Sequence, residues 1–236
     1  MRFNLQINQA IFVLLMAIGL SCCAQTEGQI NDFSKAAKFD DISAVKALIS
    51  KGVSPNTVDS KGNPMLILAI RDKSTKVTQL LLKDPNIDVD LSNTYGETPL
   101  MIAAIDGDLP VVKELVLQKH ARVDHIGWTP MHYACTKGQF EVVKFLVANG
   151  ALVDSTSLNG TTPLMMAVQS GNEELIRFLL DQGADISIRN GMGYSAIDIA
   201  DIYEKPWISA GLKSRWQKLY KQPYPGPLKV TPTKSS

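Results

Sequence analysis

Five near copies of one short phrase recur along this chain at an almost constant interval, and that recurrence restricts its fold more than any other property. The fullest copy is Gly127-Trp128-Thr129-Pro130-Met131-His132-Tyr133-Ala134. Around it stand Gly62-Asn63-Pro64-Met65, Gly96-Glu97-Thr98-Pro99-Leu100-Met101-Ile102-Ala103, Gly160-Thr161-Thr162-Pro163-Leu164-Met165-Met166-Ala167 and Gly193-Tyr194-Ser195-Ala196-Ile197-Asp198-Ile199-Ala200. From Pro64 to Pro99 is 35 residues, then 31 to Pro130, 33 to Pro163 and 33 to Ala196. A period of this size describes stacked supersecondary units, each too small to bury its own apolar face.

The chemistry of one unit predicts a pair of helices. Thr98 is placed to cap the first through its hydroxyl, and Pro99 takes the first helical position, where no N–H is needed. Gly107 stops that helix. Asp108 then caps a second, which carries Leu109, Val111, Val112, Leu115 and Val116 as an apolar stripe. Small residues at Ala103-Ala104, Ala134-Cys135 and Ala167-Val168 give the first helix a thin face that lets neighbours approach. The phrase, the period and the helix pair resemble the ankyrin repeat. That resemblance implies an all-α solenoid of helix-turn-helix units with short β-hairpin fingers, and a concave surface that grips other proteins.

The first residues pose a separate problem. Arg2 precedes a short apolar run from Ala10 to Leu20 and then small residues, which reads as an export signal over 1–24 of the bacterial type. Leu20-Ser21-Cys22-Cys23-Ala24-Gln25 allows two endings: cleavage after Ala24, leaving a soluble periplasmic chain, or lipidation of Cys23, which resembles a lipoprotein box. After either cut only Cys135 and at most Cys23 remain, so the repeats must stand on packing rather than on disulfides. Cys135 lies at an inward small-residue position, where burial is expected.

The repeat domain is expected over 25–222, in units of about 31–58, 59–92, 93–124, 125–156, 157–189 and 190–222. The opening unit has no Thr-Pro, as suits a terminal cap, and carries Phe33, Ala36, Ala37, Ile42, Val45, Leu48 and Ile49 on its stripe. In the second, Asp72 stands for the interhelical glycine. The connection Val123-Asp124-His125-Ile126-Gly127 omits roughly three residues, which predicts a blunted finger. In the last unit Trp207, Leu212, Trp216 and Leu219 fall at amphipathic spacing, as for a closing cap. From 223 to 236 the Pro/Lys-rich composition predicts a disordered tail.

Lys plus Arg number 24 and Asp plus Glu 23. Seven of the bases, and no acid, fall in the last stretch from Lys205 onward; without those and Arg2 the body keeps 16 bases against 23 acids. A basic end on an acidic body either meets anionic lipid or an acidic partner, or is a solvated cap. The acidic body and export disfavour nucleic acid. The sequence contains no His-Glu-x-x-His, Gly-x-Ser-x-Gly, phosphate loop or Cys-x-x-Cys. His120 and His125 with Asp124 form a weak metal constellation and read as solvated loop residues. His132 occupies the His of the ankyrin Thr-Pro-Leu-His motif, a role the family gives to bridging backbone groups between units. No catalytic residue, cofactor or metal is expected.

What remains is recognition. By position, the resemblance places Arg71, Tyr95, Glu97, Ile105, Asp106, Trp128, Thr136, Lys137, Asn159 and Gln169 on the gripping surface. Tyr95, Ile105 and Trp128 are the expected anchors, since large apolar side chains on a polar groove carry most interface energy. The expectation is therefore an exported, non-catalytic protein that docks one or more protein partners as adaptor, protector or inhibitor. The alternatives are a lipid-anchored or membrane-associated scaffold and a periplasmic immunity protein against a toxin.

Overall fold

The computed structural model describes residues 25–228. The export signal, Cys23, Lys229 and Lys234 lie outside them. Within them twelve α-helices pair into six units: α1 Glu27–Lys38 with α2 Ile42–Ser50, α3 Met65–Arg71 with α4 Thr75–Lys83, and α5 Pro99–Asp106 with α6 Leu109–Lys113. Then come α7 Pro130–Thr136 with α8 Phe140–Ala148, α9 Pro163–Ser170 with α10 Glu173–Asp181, and α11 Ala196–Ile202 with α12 Pro206–Tyr220. First helices α1, α3, α5, α7, α9 and α11 contact one another in sequence, and second helices form a parallel row behind them.

The helix starts are made as their residues dictate. The hydroxyls of Thr98, Thr129 and Thr162 accept the N–H of Met101, His132 and Met165, with proline at the first helical position each time. The opening helix begins earlier than the unit boundary at 31, because Thr26 and Gln29 form a reciprocal capping box. Between paired helices one residue adopts a left-handed conformation: Gly107, Gly138 and Gly171 in the middle units, but Asp40, Lys73 and Glu204 in the others. The substitute for the interhelical glycine is thus Lys73 (φ 57°) and not Asp72, which ends α3 in ordinary geometry.

Each junction between units is tied by the same devices. The small residues Ala103, Ala104, Ala134, Cys135, Ala167 and Val168 are fully buried, as are Leu100, Met131 and Leu164 beside them. Ser74 Oγ, Gln139 Nε2 and Asn172 Nδ2 each donate, at 3.0 Å, to a carbonyl at the end of the preceding first helix, those of Lys38, Ile105 and Gly138. A second ladder runs along the loops. Side-chain oxygens of Asn56, Asp90, Asp124 and Asp154 accept the N–H of Asp88, Arg122, Leu152 and Asp185 in the next unit. The loop ladder is exposed, so each of its bonds replaces a bond to water and adds little beyond fixing the register, whereas the part-buried bonds to Lys38, Ile105 and Gly138 also spare a carbonyl from losing its partner.

The fingers are turns, not strand hairpins. Asn93 N–H donates to Glu97 O, Ser157 to Thr161 and Asn190 to Tyr194, and the described residues contain no strand beyond one bridge between Val58 and Pro64. Where full fingers are neighbours they lie on one another: a Cβ on Gly62 would collide with Thr94, and one on Gly160 (φ 75°) would stand 3.1 Å from Asn190 Cα. Between Val123 and Gly127 no such turn closes, so that finger is blunt as expected.

The missing finger residues are partly compensated inside a helix. From left-handed Gly107 to left-handed His120 the chain runs 13 residues, where Gly138 to Gly150 and Gly171 to Gly183 each run 12. The extra residue is absorbed by a π-helical turn over Glu114–Gln118, which continues α6. One residue gained and three lost yield the 31-residue spacing.

Two expectations at the end of the stack are corrected. Leu212 and Trp216 of α12 are buried, but Trp207 is 83% exposed because it lies opposite the face that Ser209, Leu212 and Trp216 define, and Leu219, on the same stripe but in the last turn of the helix, is 57% exposed. Nor is the tail disordered through Leu228. Tyr224 packs edge-on against Trp216, its hydroxyl reaches Ser195 Oγ and Asp198 Oδ2, Arg189 donates to Gly226 O at 3.0 Å, and Leu228 N–H donates to Gly193 O at 3.1 Å. The cause lies in the repeat. In the fourth unit His132 passes the capping network on to the next unit. The last unit has Asp198 at that position, and the strap that follows supplies its partner.

Candidate functional site

On the side formed by the first helices and finger bases, Ile105, Trp128, Tyr133, Thr136, Met166 and Gln169 surround a hollow of about 320 Å³. It spans the third, fourth and fifth units. Trp128 sits two residues before Pro130, in the blunt finger, where no turn covers it; it is 40% exposed. Its ring stands edge-on to His132 at 5.2 Å and to Tyr133 at 6.2 Å between centroids, an arrangement aromatic quadrupoles favour.

His132 fixes the floor. Its Nδ1 accepts the Thr129 N–H at 3.2 Å, and its Nε2 lies 2.9 Å from the carbonyl oxygen of Thr161 in the next unit. A carbonyl can only accept, so Nε2 carries the proton and the ring is neutral. Burial holds its pKa below the ordinary 6.5. The bridge between units is the role the resemblance implied.

One wall is polar. Tyr133 donates to Glu97 Oε1 at 3.0 Å, while Glu97 Oε2 accepts from Asn93 at 2.7 Å and faces Arg71 at 3.8 Å. Burial, and after it the Glu97 carboxylate, pushes the Tyr133 phenol up, so it remains a donor. Thr136 Oγ1 donates to His132 O at 2.8 Å and touches Met166 Sδ at 3.5 Å. The hollow therefore combines an apolar bottom, a hydroxyl-carboxylate-guanidinium edge and the Gln169 amide. Such a lining suits an apolar side chain that carries a polar tip.

The predicted residues divide. Ile105, Trp128, Thr136 and Gln169 meet in the hollow, with Glu97 and Arg71 at its edge. Tyr95, 85% exposed, lies out on its turn, and Lys137 is exposed at the end of α7. Asp106 belongs to another groove, with Ile70, Lys73 and Asp108. Asn159 is exposed on its finger, where its side-chain oxygen accepts from Thr161 N–H and Oγ1 and its carbonyl accepts Gly191 N–H, so it also braces the turn. Tyr133 and Met166 were missed. The signal was present, since each lies three residues, one helical turn, before a predicted residue, Thr136 and Gln169. Elsewhere Cys135 is buried with its thiol pKa pushed up by burial. Among the described residues no three of His, Cys, Asp and Glu gather as His120, Asp124 and His125 would need to for a metal. No described helix is long and apolar enough to cross a membrane.

The family described as ankyrin repeats (3 copies) matches residues 33–126 and 100–190, well over half of the chain. The chain belongs to the ankyrin-repeat family. Ankyrin repeat and SAM domain-containing protein 6 of Mus musculus is 38% identical over 113 residues, 46% of this chain and 13% of that protein. Palmitoyltransferase AKR1 of Lachancea kluyveri is 34% identical over 122 residues, 49% of this chain and 16% of that protein, so the ankyrin chain spans a small part of either relative's length. Among solved structures it is similar to a chain in the complex of the Bd0816 predatory endopeptidase from Bdellovibrio bacteriovorus with immunity protein Bd3460. That likeness has a TM-score of 0.69 at 26% identity and covers 78% of this chain and 97% of that one. Ankyrin repeats mediate protein binding, and the stack described here is such a module.

Proposed function

We propose that this ankyrin protein is an exported, non-catalytic inhibitor or protector of one protein partner in the bacterial cell envelope, holding it through the first-helix face. The observation that carries the reading is the hollow at Trp128, an apolar recess with a polar edge, open on a face otherwise built of hydrogen-bonded turns. A recess of that kind takes an anchoring side chain from a partner. The likeness to a chain from an endopeptidase–immunity protein complex supports the inhibitory form of this function. Export rests on the apolar run and small residues of 1–24, and mass spectrometry of the mature N-terminus distinguishes a free Gln25 from a lipidated Cys23.

The test is paired capture and melting. Gln169→Lys puts a charge into the hollow at a side chain that makes no hydrogen bond among the described residues. Partner capture from envelope extract should fall at least about tenfold, the scale of losing one hot-spot contact, with an unchanged melting temperature. Trp128→Ala should also abolish capture, but with a lower melting temperature because its ring covers His132 and Tyr133. Full capture by both variants would move the partner to another surface.

A further inference from the structure

The opposite face carries a second feature. Between α2 and α4, Ile42, Lys46, Thr75, Lys76, Gln79, Leu80 and Lys83 enclose a groove of about 410 Å³. Lys76, Leu80 and Lys83 recur at helical spacing on one stripe of α4, and Ile42 and Lys46 face them from α2. The floor is Ile42 and Leu80, both half-buried, and the three lysines are exposed on its rim. None of the three pairs with an acid or forms a hydrogen bond among the described residues. Neither helix contains an acid. Of the acids nearest in sequence, Asp40 accepts the N–H of Val77, Asp41 those of Ser43 and Ala44, and Asp84 that of Asn86, while Asp72 is exposed and forms no ion pair with these lysines.

Uncompensated cations on long apolar stems above an aliphatic floor match a phosphodiester headgroup at the top of an acyl layer, where lysines reach the charge and bury their methylenes. The basic end of the chain fits less well. There Lys213 is paired with Asp201 at 2.9 Å, and Arg215 is spent on the Leu180 carbonyl. We propose that the α2–α4 groove seats the headgroup of an anionic phospholipid and lays this end of the second-helix row on a membrane surface. The groove belongs to the first two units, and Cys23 precedes Thr26 by three residues. Lipidation there, one of the two endings the sequence allows, would set these same units beside a bilayer. The hollow at Trp128 lies on the other row of helices and stays open to a protein partner, so the two sites are independent and fail separately.

The test is co-sedimentation of the full-length chain with vesicles of phosphatidylcholine alone and of phosphatidylcholine with phosphatidylglycerol. Binding is expected only to the second, weakening with salt. Each lysine near an anionic surface contributes roughly fivefold, so K46Q/K76Q/K83Q should lose roughly 100-fold in partitioning, and Lys76→Glu alone roughly 25-fold. K213Q/K218Q/K221Q should partition as the parent does. All these side chains are exposed, and circular dichroism checks that the helices are retained. Equal binding by K46Q/K76Q/K83Q and parent, equal binding to neutral vesicles, or displacement from vesicles by inorganic phosphate at the lipid's own concentration would each overturn the proposal. So would absence of vesicle binding together with loss of an acidic protein from the variant's captured partners, which would make the groove a protein surface.

Discussion

At the scale of single residues, His132 links the stack to pH. Its folded pKa lies below 6.5 because burial disfavours the imidazolium, so on acidification the unfolded chain takes up the proton first. The sign follows: this contribution to stability is complete above the ordinary value and is lost as pH falls from it toward the depressed one. The melting temperature should therefore drop between about pH 7.5 and pH 5.5, before the carboxylates titrate. His132→Gln, measured by thermal melts across that range, should remove most of the slope while lowering the plateau. His125, lowered by burial and by Arg122, acts in the same sense, but it is less buried and bridges no units. If the slope survives in His132→Gln and vanishes in His125→Gln, the depressed ring is the other one.

At the scale of helices, the thin faces set the spacing. Ala134 is completely buried where α7 meets α5 and α9, and Ala134→Leu forces an isobutyl group into that seam. The cost is about 1–3 kcal/mol, visible as a melting temperature lower by several degrees, while partner capture by the folded fraction is retained. Full stability would mean that the helices meet at some other residue. This register was legible because Thr-Pro starts and small-residue faces are local, and because repetition let each unit check the next. Other features were not legible. Lys73 pays a strain at positive φ that no local pattern announces, and the turn over Glu114–Gln118 shows itself only once left-handed residues can be counted from one loop to the next. Tyr133 went unassigned because its phrase marks it as motif, while its exposure depends on a finger that fails to form two residues earlier.

For the whole molecule, the ends decide how the row stands in water. The strap through Tyr224 and Leu228 joins the last unit's capping network, and its origin is tertiary: proline-rich composition predicts poor burial, while the folded chain offers Tyr224 the Ser195–Asp198–Arg189 cluster and the Trp216 ring. Truncation after Gln222 should remove the bonds to Ser195, Asp198, Arg189 and Gly193 at about 1 kcal/mol each, more where Asp198 is involved. Hydrogen exchange should then show α11 and α12 opening while α5 and α7 stay protected, as a linear array frays from its end. Uniform loss of protection would instead mean that the row melts as one body. The blunt finger has a different reach. A perfectly regular stack offers the same face again one period along, so a ligand could slip by a unit and still find its contacts. Here the added helical residue and the deleted loop residues occur at a single seam, and the uncovered indole they leave has no duplicate. Whatever docks there is held in one alignment, and an otherwise monotonous surface acquires an address.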